Sequence, residues 1–243
     1  MSTLLSVRCL GKRFGGLTAL NNVSFDVEAG RIVGVMGANG AGKTTLFALI
    51  AGNVRPTAGE IEFEGKPIVG LRPDQVCRLG VARTFQIVKP FPSLTVLENL
   101  RTGAMFGHAQ FRRESEADSA CMEVLEEVGL ANVAHRPASS LTLSGQKRLE
   151  IARCVATGAR LVLLDEVMAG LTPTEVAQML ETLRRLQATR GLTLLVIEHV
   201  MRALMELCGH IVVLHHGELI AEGTPAQIGE NEKVLSVYFG AHA

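Results

Sequence analysis

The sequence predicts an α/β fold with a mixed or parallel central sheet, an antiparallel β portion near the N-terminus and a helical insert. Three observations predict it. Short apolar runs, Leu161 to Leu164 and Leu194 to Ile197, are leucine-rich or β-branched and bounded by charge, as strands buried on both faces are. Strands and helices alternate after residue 158, which is the pattern of βαβ units. Between about Pro73 and Gly158 the pattern changes to helical periods, broken at Pro90, Pro92 and Pro137.

Taken in order, residues 4–35 alternate apolar and polar positions in runs around Leu5 and Val7, then Val23, Phe25 and Val27, then Ile32, Val33 and Val35. Gly15-Gly16 and Gly30 interrupt them, so this stretch reads as several short strands. Thr45 to Ala51 supplies an apolar helix ended by Gly52, and Ile61, Phe63 and Ile68 predict a hairpin around Gly65. Within the helical stretch, Met122, Leu125 and Val128 recur at three-residue spacing. The last part predicts strand Leu161 to Leu164, helix Pro173 to Thr189, strand Thr193 to Ile197, helix Met201 to Cys208 and strand Ile211 to Leu214. No internal repeat or low-complexity linker interrupts the 243 residues.

Composition excludes several classes. Lys+Arg and Asp+Glu both number 24, so net charge gives no broad electrostatic grip on nucleic acid. The short basic pairs Arg112-Arg113 and Arg184-Arg185 read as solvated helix faces. Mean hydropathy is high at +0.26, yet no apolar run approaches the ~18 residues that a membrane span needs. Met1 to Leu10 lacks the apolar stretch and cleavage site of a signal peptide, so a cytoplasmic location is expected. Five cysteines without CxxC spacing indicate reduced thiols, neither disulfides nor a zinc site. The histidines also lack ligand spacing, and His215 and His216, ending a strand, are expected on opposite faces.

The strongest local signal is Gly37-Ala38-Asn39-Gly40-Ala41-Gly42-Lys43-Thr44, followed by Thr45, which fills GxxxxGK[ST] between a strand and a helix. In such a loop successive backbone N–H groups turn toward phosphate oxygens and the helix N-terminus adds positive potential. Lys43 neutralises phosphate charge and Thr44 ligates Mg²⁺. A phosphate loop alone leaves kinases, GTPases and motors open, so the partner carboxylates must discriminate. Leu161 to Leu164 runs into Asp165-Glu166 about 120 residues on. At the C-terminal edge of a parallel sheet, Asp165 can hold Mg²⁺ and Glu166 can orient an attacking water.

At this point the chain resembles the ATP-binding cassette (ABC) family over nearly its whole length. The resemblance implies one nucleotide-binding domain of ABC type over residues 1–243, with a RecA-like core and β subdomain at about 1–86 and 158–243 and a helical subdomain at about 87–157. It implies that Phe14, in Arg13-Phe14-Gly15-Gly16, stacks on adenine. Gln86, in Thr84-Phe85-Gln86, matches the glutamine that joins Mg²⁺ and water to the transmembrane partner. His199, after Ile197-Glu198, matches the histidine that hydrogen-bonds the γ-phosphate. The family's signature loop, usually LSGGQ, is degenerate. Ungapped from Ile151-Ala152-Arg153 it falls on Leu141-Thr142-Leu143-Ser144-Gly145, and a shifted register offers Leu143-Ser144-Gly145-Gln146. Either leaves a hydroxyl, Thr142 or Ser144, and a small residue at the start of a helix expected over Gln146 to Ala156. Val167 and Thr172 stand where the family usually has proline and aspartate.

Together these imply an ATPase, with ATP and Mg²⁺ as its ligands, that completes its site only as half of a homo- or heterodimer. The ATPase would sit on the inner face of the membrane against permease subunits, in a system that includes an extracytoplasmic solute-binding protein. The stretches Phe14-Gly15-Gly16-Leu17, Arg83-Thr84-Phe85-Gln86, Arg148-Leu149-Glu150-Ile151-Ala152-Arg153 and Ile197-Glu198-His199, with the ending Gly223-Thr224-Pro225 to Tyr238-Phe239-Gly240, look like importers of branched-chain amino acids. The alternatives are urea, amide or lipopolysaccharide systems, a soluble cassette in iron–sulfur assembly, and a subunit that binds ATP without hydrolysing it.

Overall fold

The structure, a computed structural model, describes residues 2–84 and 90–239, so Gln86 lies outside the described residues. The first elements are β1 (Thr3–Phe14), β2 (Leu17–Glu28), β3 (Ile32–Met36), α1 (Lys43–Ile50), β4 (Ala58–Phe63) and β5 (Lys66–Pro67). Then come α2 (Pro73–Leu79), β6 (Val81–Arg83), α3 (Val96–Phe106), α4 (Glu114–Glu127), α5 (Leu143–Ala156), β7 (Leu161–Asp165) and α6 (Pro173–Arg190). The chain closes with β8 (Thr193–Ile197), α7 (Met201–Leu207), β9 (His210–His215), β10 (Glu218–Gly223), α8 (Pro225–Gly229) and α9 (Glu232–Phe239). They divide into two compact units, one of Met1–Pro73 with Thr193–Ala243, the other of Asp74–Leu192.

In the first unit, β2, β1, β4 and β5 form an antiparallel sheet in that order. The short strands expected near the N-terminus are in fact two 12-residue strands. Their alternation is broken in the sequence because register shifts occur around Cys9, which adopts φ 47°. Such bulges displace the period of two without ending the strand. Leu5, Val7, Val23, Phe25 and Val27 still point inward and are buried. The unit's other strands run β10, β9, β3, β8, with β3 parallel to both β8 and β9 and β10 antiparallel at the edge. All five residues of β3 and all five of β8 are buried, which explains their unbroken apolar sequence.

In the second unit, β6 and β7 pair in parallel, Arg83 opposite Leu163. The helices α3, α4 and α5 pack together. Thr95 caps α3 through Glu98 in a reciprocal capping box, and Arg101 ties α3 to α4 with two hydrogen bonds to Asp118 of 2.6 and 2.8 Å. Asn99, fully buried, holds the preceding loop by exchanging bonds with the Phe91 backbone. On α4 the buried stripe is Ala117, Cys121, Val124 and Leu125, continued by Val128 just past its end, and Met122 lies beside it, half-buried.

Two further expectations need correction. The helix expected from Gln146 begins at Leu143, because Thr142 takes extended backbone angles and its hydroxyl accepts the Gly145 N–H at 3.2 Å. His215 and His216 do not face opposite ways: their rings lie 4.1 Å apart. His216 has φ 46° and has already left the strand, so the period of two no longer applies. Among the described residues no helix is long and apolar enough to cross a membrane.

Candidate nucleotide site

In the first unit the expected phosphate loop links β3 to α1. Ala38, Asn39, Gly40 and Thr44 are exposed, while Gly37, Ala41 and Lys43 are buried and Gly42 and Thr45 are half-buried. Two glycines are required by geometry. Gly42 caps α1 at φ 102°, and a Cβ there would stand 2.6 Å from both the Ala19 carbonyl and Leu20 Cδ2. A Cβ on Gly37 would meet the Leu214 carbonyl at 2.6 Å. The Lys43 ammonium folds back along the loop and donates to the carbonyls of Gly37 at 2.6 Å and Ala38 at 3.0 Å. Its charge is thereby held over the loop, where phosphate oxygens would meet it.

His199 belongs to the same sheet edge. Val35 on β3 pairs with Ile197 on β8, so Gly37 and His199 each lie two residues past a paired position, at the carboxyl ends of neighbouring parallel strands. That edge is where open α/β sheets bind ligands. His199 is exposed. Phe14 ends β1, is 47% exposed and has Lys12 Nζ 4.8 Å from its ring centroid. An aromatic ring this open, one face already against a cation, fits stacking on a base better than a core role.

In the second unit, Asp165 ends β7 and is 1% exposed. Its backbone N–H donates to Thr84 Oγ1 at 2.9 Å, and its Oδ2 accepts from Arg83 Nη2 at 2.8 Å. Oδ1 is buried and has no hydrogen-bond partner among the described residues. A buried carboxylate oxygen left open is a lone-pair donor suited to a hydrated cation. No group of three or more His, Cys, Asp or Glu among the described residues could hold a metal alone. Glu166, next along, adopts φ 53°, and its carbonyl accepts the Lys147 ammonium at 2.8 Å.

At the start of α5, Thr142 is exposed as the N-cap, Gly145 is half-buried, and Ser144 is buried within the first turn. The two candidate hydroxyls are thus in different environments. Val167 is buried, and Thr172 caps α6 through Glu175, so each departure from the usual pattern has a structural use. Three participants carry no mark in the sequence: Arg83 and Thr84 gripping Asp165, and Lys147 holding Glu166. Arg83 and Thr84 stand close to Gln86 in the chain, but only pairing of β6 with β7 shows what they touch. No local pattern marks Lys147.

A family model described as ABC transporter matches residues 20–169. The chain belongs to the ABC transporter ATP-binding family. It is an ATPase of ABC type, using ATP and Mg²⁺, whose hydrolysis is coupled to transport. A second model, described as branched-chain amino acid ATP-binding cassette transporter, matches residues 218–243. The chain is 41% identical to the high-affinity branched-chain amino acid transport ATP-binding protein BraF of Pseudomonas aeruginosa, over 98% of each chain. It is 42% identical to LivG of Escherichia coli, of the same description and coverage. Among solved structures, the ADP conformation of MJ1267, an ATP-binding cassette of an ABC transporter, superposes with TM-score 0.90 at 30% identity, covering 99% of this chain and 100% of that one. The ABC-type P-loop fold expected from the sequence is therefore the fold observed.

Proposed function

We propose that this cassette drives import of branched-chain or related amino acids, docked on the cytoplasmic face of a membrane permease and paired with a second ATPase subunit. An extracytoplasmic solute-binding protein completes the system. The observation that carries the reading is end-to-end similarity, at 41–42% identity, to two proteins described as branched-chain amino acid transport ATPases. The match of residues 218–243 to the branched-chain model, outside the region shared by cassettes in general, supports it.

In this reading Phe14 stacks on adenine, the backbone of Gly37 to Thr45 cradles the phosphates, and Lys43 balances their charge. Thr44, Asp165 and Gln86 hold Mg²⁺, which when bound neutralises charge on the phosphoryl oxygens. Glu166 orients the attacking water and His199 hydrogen-bonds the γ-phosphate. Of the two hydroxyls on α5, exposure favours Thr142 over the buried Ser144 as the group offered, with Gly145, to the nucleotide of the second subunit. The domain division we propose places the helical subdomain at about 87–157 as the permease-facing insert, within a core formed by about 1–86 and 158–243.

The test is uptake of radiolabelled leucine, isoleucine and valine in the native host lacking this chain, with tagged chain recovered from membranes. Restoration by wild type but not by Glu166→Gln, with a polytopic permease co-purifying, is the expected result. Unchanged uptake of all three amino acids in the deletion strain, with a different solute lost, would overturn the substrate assignment. Recovery of soluble partners alone would overturn the transport reading.

A further inference from the structure

Lys147 lies five positions past the N-cap Thr142 on α5 and is 4% exposed. Its Nζ donates to the backbone carbonyl of Glu166 at 2.8 Å. The same carbonyl closes a turn by accepting the Ala169 N–H at 3.3 Å. Glu166 sits at φ 53°, a left-handed conformation that a residue with a Cβ keeps only when its surroundings hold it there. Burying an ammonium is costly, and a leucine or methionine would fill the same space without that cost. A lysine kept there is explained by what its ammonium binds.

We infer that Lys147 is a positioning residue for hydrolysis, fixing the left-handed backbone of Glu166 and so the direction in which its carboxylate leaves the chain. The inference rests on the reading of Glu166 as the residue that orients water. It also gives α5 a second role, because the helix that presents Thr142 at its exposed end carries, five residues on, the anchor of its own subunit's Glu166. At 1.5 Å rise per residue the two points are about 7.5 Å apart along one rigid helix. A shift of the helix end on engaging a nucleotide would therefore be felt at the Glu166 backbone.

The experiment compares Lys147→Met, which keeps the apolar stem without the donor, with Lys147→Arg, which keeps a charged donor. Both are purified by a tag on the full chain from its native host, with the subunits it carries there. Misplacing a catalytic group by about 1 Å costs on the order of 100-fold in rate. K147M should therefore lower kcat by about 10- to 100-fold with KM for ATP and fluorescent-ATP affinity within about threefold of wild type. K147R should recover kcat to within about threefold. If K147M fails to fold, Lys147→Gln, whose amide nitrogen stops one atom short, asks the same question and should lower kcat at unchanged KM. Wild-type kcat in K147M or K147Q would overturn the inference, as would a K147R that loses ATP affinity and kcat as fully as K147M. Glu166→Gln, run alongside, separates the two claims: persistent turnover in that variant would remove the underlying reading of Glu166.

Discussion

Thr84, just past β6, ties Asp165 at the end of β7 in place by one hydroxyl, and removing that hydroxyl has a calculable consequence. Thr84 is fully buried. Its Oγ1 accepts the Asp165 N–H at 2.9 Å and donates to the Leu163 carbonyl at 3.3 Å. Thr84→Val keeps the shape and deletes both bonds. The Leu163 carbonyl still accepts the Thr84 N–H at 2.9 Å, so little is lost there. The Asp165 N–H is left buried without an acceptor, at a cost of about 1–3 kcal/mol. For a chain of this size each kcal/mol lowers Tm by roughly 2–4 °C, so a fall of about 4–8 °C is expected for a mid-range loss of about 2 kcal/mol. Thermal melting of the full chain measures it, with Thr84→Ser as the control that keeps the hydroxyl. Because the orphaned N–H belongs to Asp165 itself, Mg²⁺-dependent turnover should fall as well. A Tm change below about 1 °C, or equal damage from Ser and Val, would refute the reasoning.

Other consequences follow from the same geometry. Arg83→Ala leaves the Asp165 carboxylate buried beside an empty place, and breaking such a pair costs about 3–5 kcal/mol; millimolar Mg²⁺ with ATP should restore part of the lost Tm, and no restoration would contradict a metal role for Asp165. Thr172→Ala removes the cap of α6 and should lower Tm by about 2–4 °C. Hydrogen bonds from the Thr172 backbone and hydroxyl hold the Glu175 carboxyl below its ordinary range. A lowered folded value stabilises above the unfolded value and is lost as pH falls through the folded one, so Glu175→Gln should differ from wild type near pH 7 and converge with it in acid well below about 4.5. Burial pushes the Cys121 thiol up to about 11 and that of Cys208 to about 12, and raises that of Cys154 as well. At pH 8 an alkylating reagent should therefore modify exposed Cys9 and spare these three until the chain is denatured, as mass spectrometry would show.

The parts of the fold legible in the sequence are those whose physics is local. The strands β3, β7 and β8 are buried on both faces and so spell themselves as apolar runs, and the phosphate loop is a fixed string of residues because its backbone must bend around an anion. Where an outside partner sets the structure, the sequence is silent. The three residues of β6 form a strand only because β7 lies beside them. The start of α5 escapes a reading by propensity because Leu143-Ser144-Gly145 includes two weak helix formers, and the decisive feature is the Thr142 hydroxyl on the Gly145 N–H. For α8 the signal is local and stands in the sequence: Thr224, Pro225 and Gln227 form a capping box with proline in the first turn. At the candidate site, residue types single out Lys43, Asp165 and Glu166 as candidates, whereas the groups that hold Asp165 and Glu166 in place are set by tertiary packing and have no sequence signature.

The most direct measurement is ATP turnover and ATP binding by the tagged chain purified with its subunits from native membranes, in wild type and Glu166→Gln. The account predicts that Glu166→Gln binds ATP as wild type does, loses at least about 100-fold in kcat and stays trapped as an ATP-bound dimer. Hydrolysis at the wild-type rate in Glu166→Gln would contradict it.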